Sequence, residues 1–184
     1  MDDIGTKETV LKITSQPALG FILLFFAVAM SIYVALEFVP QQIYQAVNDW
    51  NAVAVGWCLN IIGIQVTLKG DLITHAGFTA KVVGECSAVF VSVLPLSFFL
   101  AYPARPLRRL AGILIGLPFL FGINIIRIAI VFIVGFSQPK LFPWVHLYLG
   151  QVGMILVVVW ICMVWLEWEK RATAGLASGV FVLE

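Results

Sequence analysis

Long apolar runs, spaced too closely to leave room for a soluble domain, limit what this chain can fold into. Residues 18–39, 110–136 and 145–166 are each long enough to cross a ~30 Å hydrocarbon layer at about 1.5 Å per helical residue. A shorter run, 86–102, reads as a further span. Only 11% of the 184 residues are charged and the mean hydropathy is +1.03, whereas soluble domains carry roughly 25% charged residues. The expectation is an all-α integral membrane protein forming a single polytopic domain. Residues 1–16 are polar and mixed in charge, and the apolar run that follows is too long for a secretory signal with a cleavage site, so it reads as a retained first span. A net charge of +1 offers no basic field for nucleic acid. Three scattered cysteines make neither a disulfide framework nor a zinc site. Two histidines and few carboxylates supply no ligand set for haem or metal, so no cofactor is expected.

Between the first and second spans the pattern changes. Residues 43–65 are apolar but interrupted by Asn48, Asp49, Asn51, Gly56 and Asn60, with Trp50 and Trp57 among them. Residues 66–81 alternate loosely around turn signals at Lys69-Gly70-Asp71 and Ala76-Gly77, as a short hairpin would. The basic residues Arg105, Arg108 and Arg109, and Lys170 with Arg171, assign both flanking ends to the cytoplasm by the positive-inside rule. A crossing by 43–65 would turn the arginine cluster outward. That segment is therefore expected to be interfacial or re-entrant. The resulting layout is about four transmembrane helices plus an interfacial or re-entrant helix and a short external hairpin. In it, residues 1–17 are a cytoplasmic tail, 18–39 the first span, 40–85 external, 86–166 a three-span core and 167–184 a cytoplasmic tail, with Pro118 expected to kink the third span.

In this layout three polar residues on different segments reach the same, outer depth. Cys86 opens the second span, His146 opens the last, and Arg127 lies about 17 residues, or roughly 26 Å, into the third. A thiol, a guanidinium and an imidazole at one depth suit a nucleophile, a charge stabiliser and a proton carrier. A helix N-terminus at Cys86 would favour thiolate, which the neighbouring Glu85 would oppose. Asn124, three residues before Arg127 on the same helical face, could brace the guanidinium. Each residue also has an ordinary reading: Cys86 as packing, Arg127 as a snorkelling cation, His146 as an interfacial ring. His75 reads as solvated, Cys58 and Cys162 as packing residues, and Phe142-Pro143-Trp144 as part of an aromatic interface belt.

The run from Gly70 to Val83 into Glu85-Cys86-Ser87-Ala88, then Asn124-Ile125-Ile126-Arg127-Ile128, then His146 before a final span, resembles the exosortase/archaeosortase family over roughly residues 55–166. The resemblance implies a membrane cysteine protease or transpeptidase that cleaves a C-terminal sorting signal (a motif, a transmembrane helix and a basic tail) from exported proteins. It implies a catalytic set of Cys86, Arg127 and His146 supported by Asn124 and Ser87, membrane-anchored protein substrates, and a compact bacterial form in the cytoplasmic membrane with its site facing the periplasm. The family often has Cys-Ser-Gly where this chain has Ala88. Two other functions compete with it: a small transporter or envelope-assembly protein that binds an anionic lipid or solute through Arg127, and a thiol redox protein that pairs Cys86 with Cys58.

Overall fold

The computed structural model describes the backbone of residues 3–180 and the side chains of residues 18–84 and 86–172. Six α-helices and one small sheet follow in order: α1 (Asp3–Glu37), α2 (Gln41–Ile61), β1 (Thr67–Lys69), β2 (Leu72–His75), β3 (Phe78–Lys81), a 3₁₀ turn (Gly84–Cys86), α3 (Val89–Ala101), α4 (Pro106–Ser137), α5 (Phe142–Leu147), a π-helical segment (Tyr148–Val152) and α6 (Gly153–Val180).

Among the described residues, three helical runs are long and apolar enough to cross a membrane: Ala18–Glu37, Pro106–Ser137 and Phe142–Ala172. The predicted second span is the shorter apolar helix α3, whose 13 residues rise only about 20 Å. It begins at Val89, not at Cys86, because Ala88 adopts a left-handed conformation (φ 62°, ψ −4°) that a right-handed helix cannot include. At its far end Tyr102 is extended. Helix α4 runs on through Pro118, and the basic residues Arg105 to Arg109 straddle its first turn.

Helix α1 packs along α3, which also meets α4 and α6. Phe99, Leu120, Met154, Val158, Ile161 and Trp165 form the buried centre of this bundle. The outward faces of α1, α4 and α6 carry exposed Leu23, Met30, Leu114, Ile115, Leu156 and Met163, as a lipid-facing surface requires.

Helix α2 buries Asn48, Asn51, Ala52, Val55, Gly56 and Leu59, a 3.6-residue stripe, against α4 and the sheet. Its other face exposes Trp50, Val53, Trp57 and Ile61. This two-faced helix fits the interfacial element read from its interrupted apolar pattern. The predicted hairpin is in fact a three-stranded antiparallel meander ordered β1-β2-β3. Both turn signals are used: Gly70-Asp71 joins β1 to β2 and Ala76-Gly77 joins β2 to β3. Ala76 and Gly77 both have positive φ (49° and 81°), the backbone of a two-residue turn whose twist matches the strands. The inner face of the sheet adds Ile73 and Val82 to a second core with Ala52, Val55, Leu59, Ile128, Ala129 and Phe132. That core seats the polar residues described next.

Candidate active site

Cys86 ends the 3₁₀ turn that joins the sheet to α3. The turn is closed by Cys86 N–H donating to the Val83 carbonyl (2.8 Å) and Ser87 N–H donating to the Gly84 carbonyl (3.1 Å). The fully buried Ser87 hydroxyl donates to the same Gly84 carbonyl at 2.7 Å. Ser87 thus braces the turn, and it is not among the residues that face the cavity beside Cys86. The left-handed residue that follows is Ala88, at the position where the resemblance leads one to expect glycine. The reason glycine suits it is conformational: only glycine enters this region without a steric cost.

Helix α4 brings Arg127 to the same place. Its side chain is 8% exposed and Asn124 is fully buried one turn earlier. The Asn124 side chain joins the two segments: its Nδ2 donates to the Cys86 carbonyl at 2.6 Å, and its Oδ1 accepts from Arg127 Nη1 at 3.1 Å. Both ends of one amide are thereby fixed, so the turn carrying the thiol is tied to the helix carrying the guanidinium. Arg127 Nε is buried with no hydrogen-bond partner. Among the described residues no carboxylate pairs with Arg127.

His146 comes from α5, four residues into a final helical run that starts at Phe142 and not, as expected, at the histidine itself. Its ring stacks on Phe142 (centroids 5.6 Å apart, 21° between planes), and its Nδ1 is buried without a partner. Cys86, Arg127 and His146 line one cavity of about 70 Å³ together with Ile73, Ala80, Lys81, Val82, Ile128, Val131, Phe132 and Phe142. The three residues singled out from the sequence by membrane depth therefore share one small, mostly apolar space.

Other sequence readings fare differently. His75 lies away from this cavity; its Nδ1 sits 2.7 Å from the Gln65 carbonyl and its ring lies 4.8 Å from that of Phe136, so it is held in place and not simply solvated. Phe142 lines the cavity, whereas Trp144 is 61% exposed. Cys58, Cys86 and Cys162 are all free thiols.

Sequence reasoning missed two contributors. Lys81, at the end of β3, is a cation in the cavity wall whose ammonium is 3.5 Å from the Asp71 carboxylate. Gly150 lies in the π-helical segment, where a Cβ would come 2.7 Å from Arg127 Nη2. The guanidinium thus occupies the space that a side chain at 150 would fill. A signal did exist for Phe142 and Gly150: each is four residues from His146, one helical turn away on the same face.

A bundle of apolar helices, with a thiol, a guanidinium and an imidazole lining one cavity at one end, defines a polytopic membrane protein. The family model for the transmembrane exosortase (Exosortase_EpsH) matches residues 11–166, and the chain belongs to that family. Its general class is accordingly that of membrane enzymes that sort proteins by transpeptidation. Comparison with curated proteins and with solved structures gave no match.

Proposed function

We propose that this protein is a membrane-embedded cysteine protease or transpeptidase that cleaves a C-terminal sorting signal from exported proteins, using Cys86, Arg127 and His146. The observation that carries the reading is the shared cavity, with Asn124 tying the Cys86 carbonyl to the Arg127 guanidinium.

A substrate anchored by its own transmembrane helix arrives already confined to the membrane plane, which supplies part of the positioning a soluble protease must build into a cleft. The Cys86 thiolate attacks the scissile carbonyl, forming a carbon–sulfur bond and an oxyanion. The Arg127 guanidinium stabilises that oxyanion. Collapse breaks the carbon–nitrogen bond; His146, having taken the thiol proton, gives it to the leaving amine. The thioester left on Cys86 is resolved by water, giving proteolysis, or by an amine, giving transpeptidation.

The orientation that goes with this function puts the cavity on the periplasmic side of a bacterial cytoplasmic membrane. Support comes from Arg108 and Glu169, which meet at the opposite end of the bundle, so that the basic residues of α4 and α6 share one face.

The test is processing of a membrane-anchored substrate by Cys86→Ala, Cys58→Ala and Cys162→Ala. Loss of processing in the first alone is the expected result, and equal processing by Cys86→Ala would overturn the assignment. An anion-binding protein that relied on Arg127 would show no such dependence on the thiol.

A further inference from the structure

The small sheet beside the cavity ends in a free edge, and the chemistry of that edge indicates how a substrate is held. The strand order β1-β2-β3 leaves β3 paired on one side only. In an antiparallel ladder, residues alternate between directing both backbone groups at the neighbour and directing both away from it. The two-residue turn Ala76-Gly77 makes His75 and Phe78 a hydrogen-bonded pair. Alternation then makes Ile73–Ala80 the next bonded pair, and Val82 N–H donating to the Asp71 carbonyl at 2.9 Å continues the same phase. Thr79 and Lys81, the residues between, therefore turn their N–H and C=O groups outward, and both residues are exposed.

That edge leads into the site. Ala80, Lys81 and Val82 form one wall of the cavity that holds Cys86, four residues beyond Val82. The cavity, about 70 Å³, is too small for a helix, whose diameter with side chains is about 10–12 Å. Unpaired N–H and C=O groups along an edge strand are a ready template for pairing with another chain.

We propose that the substrate's cleavage segment binds as an added strand on the outer edge of β3, its main chain hydrogen-bonded to that of Thr79 and Lys81, which lays the scissile peptide against Cys86. The occupant is an extended polypeptide, recognised largely through its backbone. This rests on the proteolytic reading above and adds a binding mode to it. Side chains on one face of the added strand meet the apolar wall of Ile73, Val82 and Phe132, and those on the other face point away. Selectivity is therefore expected to reside in alternate residues of the substrate.

The test uses the full-length protein in proteoliposomes and a host substrate with its own C-terminal motif, helix and basic tail. Single backbone N-methyl groups are introduced along the substrate's cleavage segment. Losses of about three- to tenfold at every second residue, with little loss between them, are expected from removal of one hydrogen bond at a time. A flat or non-periodic profile would overturn the proposal. On the enzyme, Thr79→Pro is compared with Thr79→Ala: proline removes an outward N–H, which an edge strand tolerates, while leaving the bonds to β2 in place. The proline variant should process several-fold more slowly than the alanine variant while Cys86 alkylates normally with a small neutral reagent; equal rates would contradict the edge reading. If Thr79→Pro fails to fold, the substrate scan alone decides. The two levels separate cleanly. Processing by Cys86→Ala sinks the protease reading itself, whereas loss in Cys86→Ala with a flat scan sinks only the added strand.

Discussion

Helix α4 carries a half-buried arginine in its first turn and a buried one about two-thirds of the way along, and the two are treated in opposite ways. Arg108, in the first turn, meets the Glu169 carboxylate at 2.9 Å and reaches the Glu169 carbonyl at 3.3 Å. Its guanidinium lies 5.8 Å from the Trp168 ring, and its own carbonyl accepts from Trp165 Nε1 at 3.1 Å. Every feature there neutralises or shields the charge. Arg127, about 29 Å further along the helix, is more deeply buried, and among the described residues its side-chain partner is the neutral amide of Asn124, with its Nε unpartnered. A buried charge that no described carboxylate pairs is costly to hold, and such groups cluster at functional sites. The first arginine fastens two helices. In the proposed mechanism, the second offers its charge to the oxyanion.

The sharpest separation of the two ends comes from removing the groups that should react. Cys86→Ala is expected to lower substrate processing by more than about a thousandfold, as scored by gel shift of the anchored substrate. Arg127→Ala should cost roughly a hundred- to a thousandfold, the range for losing a group that stabilises an oxyanion. Its thermal unfolding in detergent should change little, and lysine at 127 should restore only part of the rate because it cannot reproduce the fork of donors. Arg108→Ala should do the reverse. Losing the charge-assisted bond from Arg108 to Glu169 costs about 1.5–3 kcal/mol of stability, read as a lower unfolding temperature, while the rate per folded molecule stays near that of the wild type. If the two arginine variants behave alike, the contrast fails.

Smaller changes probe how the active end is built. Gly150→Ala should push the Arg127 guanidinium aside and lower processing by about tenfold or more, since misplacement by an ångström is costly in catalysis. No such effect is expected at Gly122, where a Cβ meets nothing within 4 Å. The least expected change is a gain. Ala88→Gly should relieve the left-handed strain and add about 1 kcal/mol of stability, visible as a modest rise in unfolding temperature.

The parts of this design that hydropathy and spacing govern were legible in the sequence. Apolar runs announced α1, α4 and the final helix, and Cys86, Arg127 and His146 stood out because each is polar where lipid should exclude it. Asn124 was legible because helical geometry puts it beside Arg127. What escaped depends on backbone conformation or distant pairing. The third strand hid in a stretch with two turn signals and too little alternation to count strands. The start of α3 moved from Cys86 to Val89 because a single alanine takes a left-handed conformation, which no periodicity encodes. Gly150 looked like any glycine in an apolar run until the fold brought Arg127 against it. The Arg108–Glu169 pair joins residues 61 positions apart, and charge counting recorded the two only as flanks of membrane spans.

The most direct test of the account is to trap the covalent intermediate. The full-length protein in proteoliposomes would be mixed with its anchored substrate, quenched in acid during turnover, and digested for mass analysis of the peptide containing Cys86. The account predicts that this peptide carries the N-terminal portion of the substrate as a thioester, released by hydroxylamine. Processing that proceeds while Cys86 remains unmodified and fully alkylatable at every time point would contradict it.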